Sequence, residues 1–294
     1  MATGPLLIYT YFASMLKLGI FGDQFTLPEP LERLKTIAET EVAGIYLSGN
    51  ANPPVGFVSF SSPIELMDIS DAILILSDKS ISNELIKLIL RKSKHVFLKS
   101  IPNLTVREIK ELIDLGKEAG IVTFIYNPFS YLPFLDPFKN NYEKPLLINL
   151  RTCFDGTLLK PSHEMLLLVT ALNQVVQSNY KKLDVVGLKD SGKQITVNLR
   201  IEYDNGSIVN LTISEEKLPG NCEIFSSKGT SRFEFQTPLY ISYPQLNQEY
   251  TAIGNFVQLI RNQDNRSDSF DNFLNGVQIV HEIRKNLRYN EIDF

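Results

Sequence analysis

The chain has 294 residues, and its 29 Lys and Arg against 33 Asp and Glu give a formal net charge of -4. Residues 15–126 carry 12 basic and 14 acidic side chains, and residues 127–294 carry 17 and 19. Neither half has the basic excess that binding to a nucleic-acid backbone requires. The length and a hydrophobic content of 44% predict two domains with sizeable cores.

Cysteine usage and the first residues of the chain bear on its location. Cys153 and Cys222 form neither a metal-binding spacing nor a disulfide framework, which favours a reducing, cytoplasmic setting. Residues 1–14 contain an apolar run that lacks a preceding basic segment and is far shorter than a membrane span. We interpret residues 1–14 as an extension, with an added edge strand as the alternative, and expect no membrane anchor.

Strands and helices alternate through residues 15–126. Apolar, β-branched and aromatic runs predict strands over residues 16–21, 42–47, 72–76, 95–98 and 121–126. Helical spacing of apolar residues predicts helices over residues 28–39, 81–91 and 105–119. Such alternation forms a doubly wound parallel sheet with right-handed crossovers. We therefore expect an α/β, Rossmann-like first domain over residues 15–126.

The pattern changes in residues 127–294. It predicts in turn a strand over 146–153, a helix over 162–177, several strands within 183–235, and closing helices over 246–263 and 270–287. The clearest element is a hairpin over residues 196–213. Its Asn205-Gly206 pair predicts a type I′ turn, because these residues accept two positive φ angles. We expect an α+β second domain with a mostly antiparallel, open sheet.

A polar segment follows the strand predicted over residues 95–98, and ligands of α/β sheets bind at the carboxyl ends of strands. The order of elements and this segment resemble the glucose–fructose oxidoreductase / myo-inositol dehydrogenase family of NAD(P)-dependent enzymes. Its members carry Glu-Lys-Pro here. Lys99 stands at the Glu, Ser100 at the Lys and Ile101 at the Pro, so all three motif residues are changed. The resemblance runs from about residue 16 to residue 287.

The family's phosphate loop follows the first strand and contains three glycines. In this chain only Gly22 is kept, because Gln24 and Leu27 stand at the other two glycine positions and Asp23 adds a carboxylate. Side-chain bulk and negative charge both oppose ordinary dinucleotide binding. Gln24 could still donate a hydrogen bond to a different ligand. The alternative is a strand-to-helix turn without a ligand.

The end of the second predicted strand is where an NAD enzyme places an acidic residue against the ribose hydroxyls. This chain has Ser48 and Asn50 there, with no carboxylate and no neighbouring arginine for the extra phosphate of NADP. The resemblance implies NAD or NADP as cofactor, with Gly22, Gln24, Ser48 and Asn50 as candidate contacts. A solvated loop is the alternative for Ser48 and Asn50.

Three side chains are candidates for catalysis. The resemblance places His163 at the histidine of the family's Asp-x-Gly-x-His segment, whose Asp and Gly are replaced here, and imidazole suits proton transfer near neutral pH. Lys160 is a candidate partner of His163, and Lys99 is a candidate at the strand end. Alternatively, His163 is a satisfied buried group and Lys99 is solvated. Because neighbours at a strand end point to opposite sides, Lys99 does not automatically replace the lysine lost at position 100.

The segment after the last strand of the first domain resembles the family's crossover into the second domain. Asn127 and Tyr131 are candidate substrate contacts in the cleft between the domains. The alternative is that Pro128 and Pro133 only fix a linker between the domains. No P-loop, nucleophile elbow or metal-binding spacing occurs in the sequence.

The resemblance implies an NAD(P)-dependent oxidoreductase that acts on a sugar, a polyol or a related hydroxy compound. It also implies a small-molecule substrate and a homo-oligomer, since one face of the family's second sheet commonly packs against another subunit. The changed motifs leave a second hypothesis open. In it the chain is a non-catalytic relative that serves in ligand sensing or assembly.

Overall fold

The computed structural model describes residues 15–23, 33–47, 55–77, 82–100, 104–140, 143–153, 161–189, 195–216, 219–236, 246–262 and 268–289. These residues form two six-stranded sheets with helices packed against them. The predicted extension over residues 1–14 lies outside the described residues. So does most of the predicted phosphate loop.

The first sheet is parallel throughout. Its strands are β1 (Leu16–Gly22), β2 (Thr40–Leu47), β3 (Ser59–Phe60), β4 (Ala72–Ile75), β5 (His95–Leu98) and β6 (Thr123–Ile125), in the order β3-β2-β1-β4-β5-β6. This is the strand order of a Rossmann domain, so the predicted fold class is confirmed. All four residues of β4 are buried because both faces of the sheet are covered, which explains the continuous apolar run in the sequence.

Among the described residues, the helices that lie between strands of the first sheet include α1 (Pro63–Ile69), α2 (Asn83–Arg91) and α3 (Val106–Ala119). The sequence itself fixes the ends of α3. The Thr105 hydroxyl accepts from the Glu108 amide at 3.3 Å, and the Glu108 carboxylate accepts from the Thr105 amide at 2.8 Å. Gly120 ends the helix with a φ of 63°. A cap of this kind contributes about 1 kcal/mol, and it fixes where α3 begins after β5.

The helix predicted over residues 28–39 does not extend to residue 39. Arg33 and Leu34 are helical, and turns follow in which the amide of Thr36 donates to the carbonyl of Arg33. Glu39 then takes a φ of 61°, which an α-helix cannot contain. The chain has to turn sharply there because β2 begins at the next residue. The first part of the predicted helix lies outside the described residues.

The second sheet is mixed. Its strands are β7 (Leu147–Cys153), β8 (Tyr180–Lys189), β9 (Ile195–Tyr203), β10 (Ile208–Ser214), β11 (Gly220–Ser226) and β12 (Gly229–Phe235), in the order β12-β11-β7-β10-β9-β8. Only the β7–β10 pair is parallel. Helix α5 (Pro161–Val176) covers one face and shares an apolar core with it. The mostly antiparallel sheet is thus confirmed.

The hairpin of β9 and β10 forms as predicted, but the prediction of a type I′ turn was wrong. The Gly206 amide donates to the Tyr203 carbonyl, and the Tyr203 amide donates to the Ser207 carbonyl, both at 3.0 Å. Gly206 has a φ of 81°, whereas Asn205 is not at positive φ. A type I turn closed by a glycine at positive φ is the longer alternative to a two-residue type I′ loop. Asn205 instead uses its side chain, which accepts from the Ser207 amide at 3.0 Å and donates to the Val176 carbonyl at 3.0 Å.

A short 3₁₀ helix (Pro128–Tyr131) and α4 (Asp136–Asn140) follow the first sheet, and two helices, α6 (Leu246–Arg261) and α7 (Asp268–Tyr289), end the described chain. Helix α6 returns to the first sheet, where Phe256 packs against Phe97. Helix α7 contributes Phe270 to the core of the first sheet and Ile283 to the core of the second. The domain boundary between residues 126 and 127 stays a prediction.

Candidate functional site

Lys99 extends from the end of β5 toward α6 and forms an ion pair there. Its amide donates to the Ile75 carbonyl at 2.9 Å, which continues the β4–β5 pairing. Its Nζ lies 3.0 Å from Oε2 of Glu249 on α6. Lys99 follows Phe97 by two residues, so both lie on the face of the sheet that α6 covers. The ammonium group is therefore held by a carboxylate at the carboxyl edge of the first sheet.

Tyr126 lies next to this ion pair. Its amide donates to the Leu98 carbonyl at 2.8 Å, and the residue is only 5% exposed. The Tyr126 hydroxyl and Oε1 of Glu249 are both buried, and neither forms a hydrogen bond within the part of the chain that the structure describes. Burial and the negative charge of Glu249 hold the pKa of Tyr126 well above its ordinary value. The hydroxyl thus stays protonated at neutral pH.

Two further residues complete this group. Tyr131, in the 3₁₀ helix, has its ring centroid 6.0 Å from that of Tyr126. The Tyr131 hydroxyl accepts from Nδ2 of Asn255 on α6 at 3.5 Å. We call Lys99, Tyr126, Tyr131, Glu249 and Asn255 the α6 cluster. It joins α6 to the ends of β5 and β6 and to the segment that leaves the first sheet.

Asn127 connects the α6 cluster to the second domain. Its Nδ2 donates to the Leu167 carbonyl of α5 at 2.8 Å, and its Oδ1 accepts from the Phe129 amide at 3.0 Å. The residue is buried, and its side chain both caps the 3₁₀ helix and anchors α5. Through these bonds Asn127 positions α5 and the 3₁₀ helix relative to each other. Its predicted contact with a substrate stays a prediction.

His163 is half-buried on the first turn of α5. On a helix, residues three and four positions apart lie on the same face. Leu166 packs against the cores of both sheets, and the Leu167 carbonyl holds Asn127. His163 therefore lies on the face of α5 that is directed toward the first domain. Lys160, its predicted partner, is outside the described residues.

The end of β1 carries a buried carboxylate. Gly22 is the last residue of β1, and Asp23 follows it with 8% of its surface exposed. The buried Ser77, just beyond β4, donates to Oδ2 of Asp23 at 2.6 Å. Since β1 has β2 on one side and β4 on the other, this contact spans the point where the strand order reverses. Gln24 lies outside the described residues.

This arrangement bears on the cofactor that the fold implies. A dinucleotide at the switch point of a Rossmann sheet places its diphosphate beside the first strand-to-helix turn, where backbone amides approach it. Here the Asp23 carboxylate and the Ser77 hydroxyl lie at that turn. A fixed negative charge there repels a diphosphate. The Asp23 carboxylate therefore opposes tight binding of a dinucleotide in the usual position. Ser48 and Asn50 lie outside the described residues.

Sequence reasoning missed Glu249 and Ser77. Glu249 lies in the first turn of a predicted helix, where an acidic residue is ordinary because it offsets the helix dipole. Nothing in the local pattern connects it with Lys99, 150 positions earlier. Ser77 follows a predicted strand as a small polar residue, and only its pairing with Asp23 gives it a role. The sequence predicts Tyr126 only as the last residue of a strand.

No group of His, Cys, Asp and Glu side chains suited to a metal ion occurs among the described residues. The helices of the described ranges also include none with the length and apolar character that crossing a bilayer demands.

Neither a family model nor a curated protein matches the sequence. Solved structures do resemble it. One is described as a probable dehydrogenase from Thermotoga maritima, with 15% identity, a TM-score of 0.73, and coverage of 94% of this chain and 97% of the other. A dehydrogenase from Clostridium difficile has 16% identity and a TM-score of 0.69 over 92% and 99% of the two chains. The UDP-N-acetylglucosamine 3-dehydrogenase of Acidithiobacillus ferrooxidans has 14% identity and a TM-score of 0.68 over 92% and 97%. At these identities the similarity establishes the fold.

Proposed function

We propose that the chain is an oxidoreductase that acts on a hydroxyl group of a sugar, a polyol or a related compound, with NAD or NADP as its cofactor. The observation that carries this proposal is the shared architecture. Proteins described as dehydrogenases have a similar fold over at least 92% of this chain, and one of them is named for a sugar nucleotide substrate. The resemblance that places His163 at the family's histidine supports the same class.

In this function His163 exchanges a proton with the reacting hydroxyl group. It lies on the side of α5 directed toward the first domain, and an imidazole is suited to proton transfer near neutral pH. Asn127 fixes α5 relative to the end of β6, so it determines where His163 stands. In the proposed function, Tyr131 contacts the substrate from the side of the first domain.

The Asp23 carboxylate makes weak cofactor binding the expected result. We expect affinities for NAD(H) and NADP(H) of about millimolar or weaker, because a diphosphate beside Asp23 meets a like charge. Asp23→Asn removes that charge and should tighten nucleotide binding by about tenfold. Isothermal titration calorimetry measures both. Asp114→Asn, on the exposed face of α3, is the control with the same charge change and should have no effect. Micromolar binding to the unmodified protein would contradict this expectation.

Turnover tests the function directly. The protein is incubated with sugars, polyols and their oxidised forms, with NAD(H) and NADP(H) each at several millimolar, and nicotinamide absorbance is followed. The expected result is turnover of at least one compound. The absence of turnover across the panel would overturn the oxidoreductase proposal.

The Asp23–Ser77 contact favours a second candidate, a non-catalytic relative that senses a ligand or serves in assembly. A chain that no longer needs a diphosphate can fill the switch point with a buried carboxylate and its hydrogen-bond donor. The two functions differ in one result. A compound that raises the melting temperature without being turned over favours the sensing function.

A further inference from the structure

We propose that Tyr126 and Glu249 form a hydroxyl-binding subsite within the α6 cluster. In this subsite an uncharged ligand hydroxyl donates to Oε1 of Glu249 and accepts from the Tyr126 hydroxyl. The inference rests on the proposed function, because it assigns uncharged polyhydroxy compounds as the ligand class of the same cleft. Lys99 acts here as a positioning residue through its ion pair with Glu249.

Two buried polar atoms carry the inference. The Tyr126 hydroxyl and Oε1 of Glu249 are both out of contact with solvent and, in the described ranges, form no hydrogen bond with the protein. Buried polar groups in folded proteins are nearly always bonded, because an unmade bond costs the full desolvation of the group. Tyrosine offers a donor and an acceptor, whereas an ionised carboxylate only accepts. A ligand hydroxyl, which can donate and accept at once, satisfies both.

The ion pair explains why the ligand hydroxyl belongs to an uncharged compound. Oε2 of Glu249 is 3.0 Å from Nζ of Lys99, so that oxygen is committed and Oε1 remains for a ligand. The positive charge of Lys99 is already balanced. A ligand carboxylate or phosphate would therefore meet the Glu249 oxygen without an unpaired cation to compensate it. A neutral hydroxyl meets no such repulsion.

A purely structural role of the α6 cluster does not explain why residue 126 carries a hydroxyl group. The Lys99–Glu249 pair suffices to tie α6 to β5, and the Tyr126 ring already packs in the apolar core that α6 covers. Phenylalanine would fill the same space without burying an unbonded hydroxyl. The hydroxyl is a stability cost in the free protein that a bound ligand removes.

Tyr203 provides a matched control. It is also buried, but its hydroxyl donates to Oδ1 of Asn173 at 2.7 Å, inside the second domain. In the ligand-free protein we expect Tyr126→Phe to melt within about 1 °C of the unmodified protein or above it. We expect Tyr203→Phe to melt about 2–6 °C lower, because it loses a bond that exists. An equal loss in both variants would show that the Tyr126 hydroxyl is bonded within the protein, which overturns the inference.

Ligand binding provides the second test of the subsite. Glucose, myo-inositol, sorbitol and glucuronate are titrated calorimetrically into the unmodified protein and both variants. For any neutral compound that binds, Tyr126→Phe should weaken binding by about tenfold, whereas Tyr203→Phe should leave it unchanged. Equal affinity in Tyr126→Phe overturns the subsite and leaves the proposed function standing. A preference for glucuronate over glucose also overturns it.

A crystal soak separates this inference from the proposed function. Crystals of the unmodified protein and of Tyr126→Phe are soaked in glycerol. We expect a glycerol hydroxyl within hydrogen-bond distance of Tyr126 and Glu249 in the former only. A direct bond between Tyr126 and Glu249 overturns the inference, as does the same glycerol position in Tyr126→Phe. If glycerol bridges the two side chains but the panel gives neither turnover nor binding, the proposed function fails and the subsite stands.

Discussion

His163 is the side chain on which the proposed proton transfer depends. Because general acid or base catalysis contributes about a hundredfold or more to a rate, His163→Ala should lower turnover by at least that factor. The fold should survive, since a half-buried residue on the first turn of α5 is replaced by a good helix former. Steady-state kinetics on the compound found in the turnover screen provide the measurement.

The control is His281→Ala, which removes an exposed histidine on α7 and should leave turnover unchanged. Lys99→Ala and Lys160→Ala complete the comparison of the predicted catalytic residues. A lysine that touches the substrate lowers turnover when removed, whereas removal of a solvated Lys160 would leave turnover nearly unchanged. Lys99→Ala also leaves the Glu249 carboxylate without its ion-pair partner, so its stability is measured alongside its turnover. Equal rates for His163→Ala and the unmodified protein would remove His163 from the mechanism.

His95 makes stability depend on pH. Its Nδ1 accepts from the Val122 amide at 2.9 Å, so the bonded imidazole is neutral. Burial lowers the pKa of His95 from its ordinary 6.5, with the charge of Asp71 opposing in part. Between the folded and the unfolded pKa the unfolded state binds more protons, so the free energy of unfolding decreases as pH falls. The loss begins near pH 6.5 and is complete below the folded pKa.

Thermal melts from pH 7.5 to pH 5 measure this effect. We expect His95→Gln to flatten the fall in melting temperature through pH 6, because its amide oxygen can accept from Val122 without titrating. His281→Ala is the control and should keep the fall, since that imidazole is exposed. A pH profile of His95→Gln that matches the unmodified protein would contradict the assignment.

The partner of Lys99 could not be predicted from the sequence. The alternation of a strand placed Lys99 and Ser100 on opposite sides, so Lys99 could not simply replace the lost lysine. The structure places Lys99 on the α6 side, against Glu249. Which carboxylate it meets depends on a helix 150 residues away, and no local pattern contains that information. The roles assigned to His163, Asn127 and Tyr131 remain predictions.

At the scale of elements, α5 and α7 approach closely at one glycine. A Cβ added to Gly276 would stand 2.3 Å from Oγ1 of Thr170 on α5. The helices would have to separate, so Gly276→Ala should destabilise the protein by about 1–3 kcal/mol. Gly254→Ala on α6 is the matched control, because nothing lies within 4 Å of its added Cβ. It should stabilise by about 0.5–1 kcal/mol through helix propensity. Urea unfolding measures both, and equal effects would contradict close α5–α7 packing.

Strands and helices were predictable where they depend on a pattern of neighbouring residues. The strand predicted over residues 95–98 is confirmed, and the helix predicted over residues 105–119 forms as α3. The hairpin was predicted, but its turn depends on how the four residues between β9 and β10 fit, so the dipeptide preference alone gave the wrong turn type. The helix predicted toward residue 39 was too long because the register of β2 forces a turn there.

At the scale of the whole molecule, we expect self-association to depend on the open face of the second sheet. The row across the six strands from β8 to β12 consists of Asp184, Arg200, Asn210, Asn149, Glu223 and Arg232. Several of these side chains bond to each other, as Asn210 does to Asn149 at 2.8 Å and Arg232 to Glu223 at 2.9 Å. Apolar side chains lie at one corner, where Val186 is 55% and Leu188 is 65% exposed. The face is thus polar at its centre and apolar at that corner.

We expect a homo-oligomer, as the resemblance implies, with this corner inside the interface. Replacing Val186 and Leu188 together by Lys should raise the dissociation constant by about tenfold or more, because two charges would enter the contact. Val58→Lys, at an exposed site outside this face, should leave it unchanged. Light scattering over a concentration series measures both. A monomer at high concentration would contradict the homo-oligomer, and an unchanged double variant would exclude this face.

The sequence by itself determined the two sheet types and the order of the longer strands and helices. These depend on periodicity and on contacts within a few residues, which a linear pattern contains. Only the tertiary structure decided that α6 returns to the first sheet, that Glu249 holds Lys99 and that Ser77 bonds Asp23. Each of these contacts joins residues at least 54 positions apart. They form because chain reversal and core packing bring distant segments together and a buried charge needs a partner wherever it comes to lie.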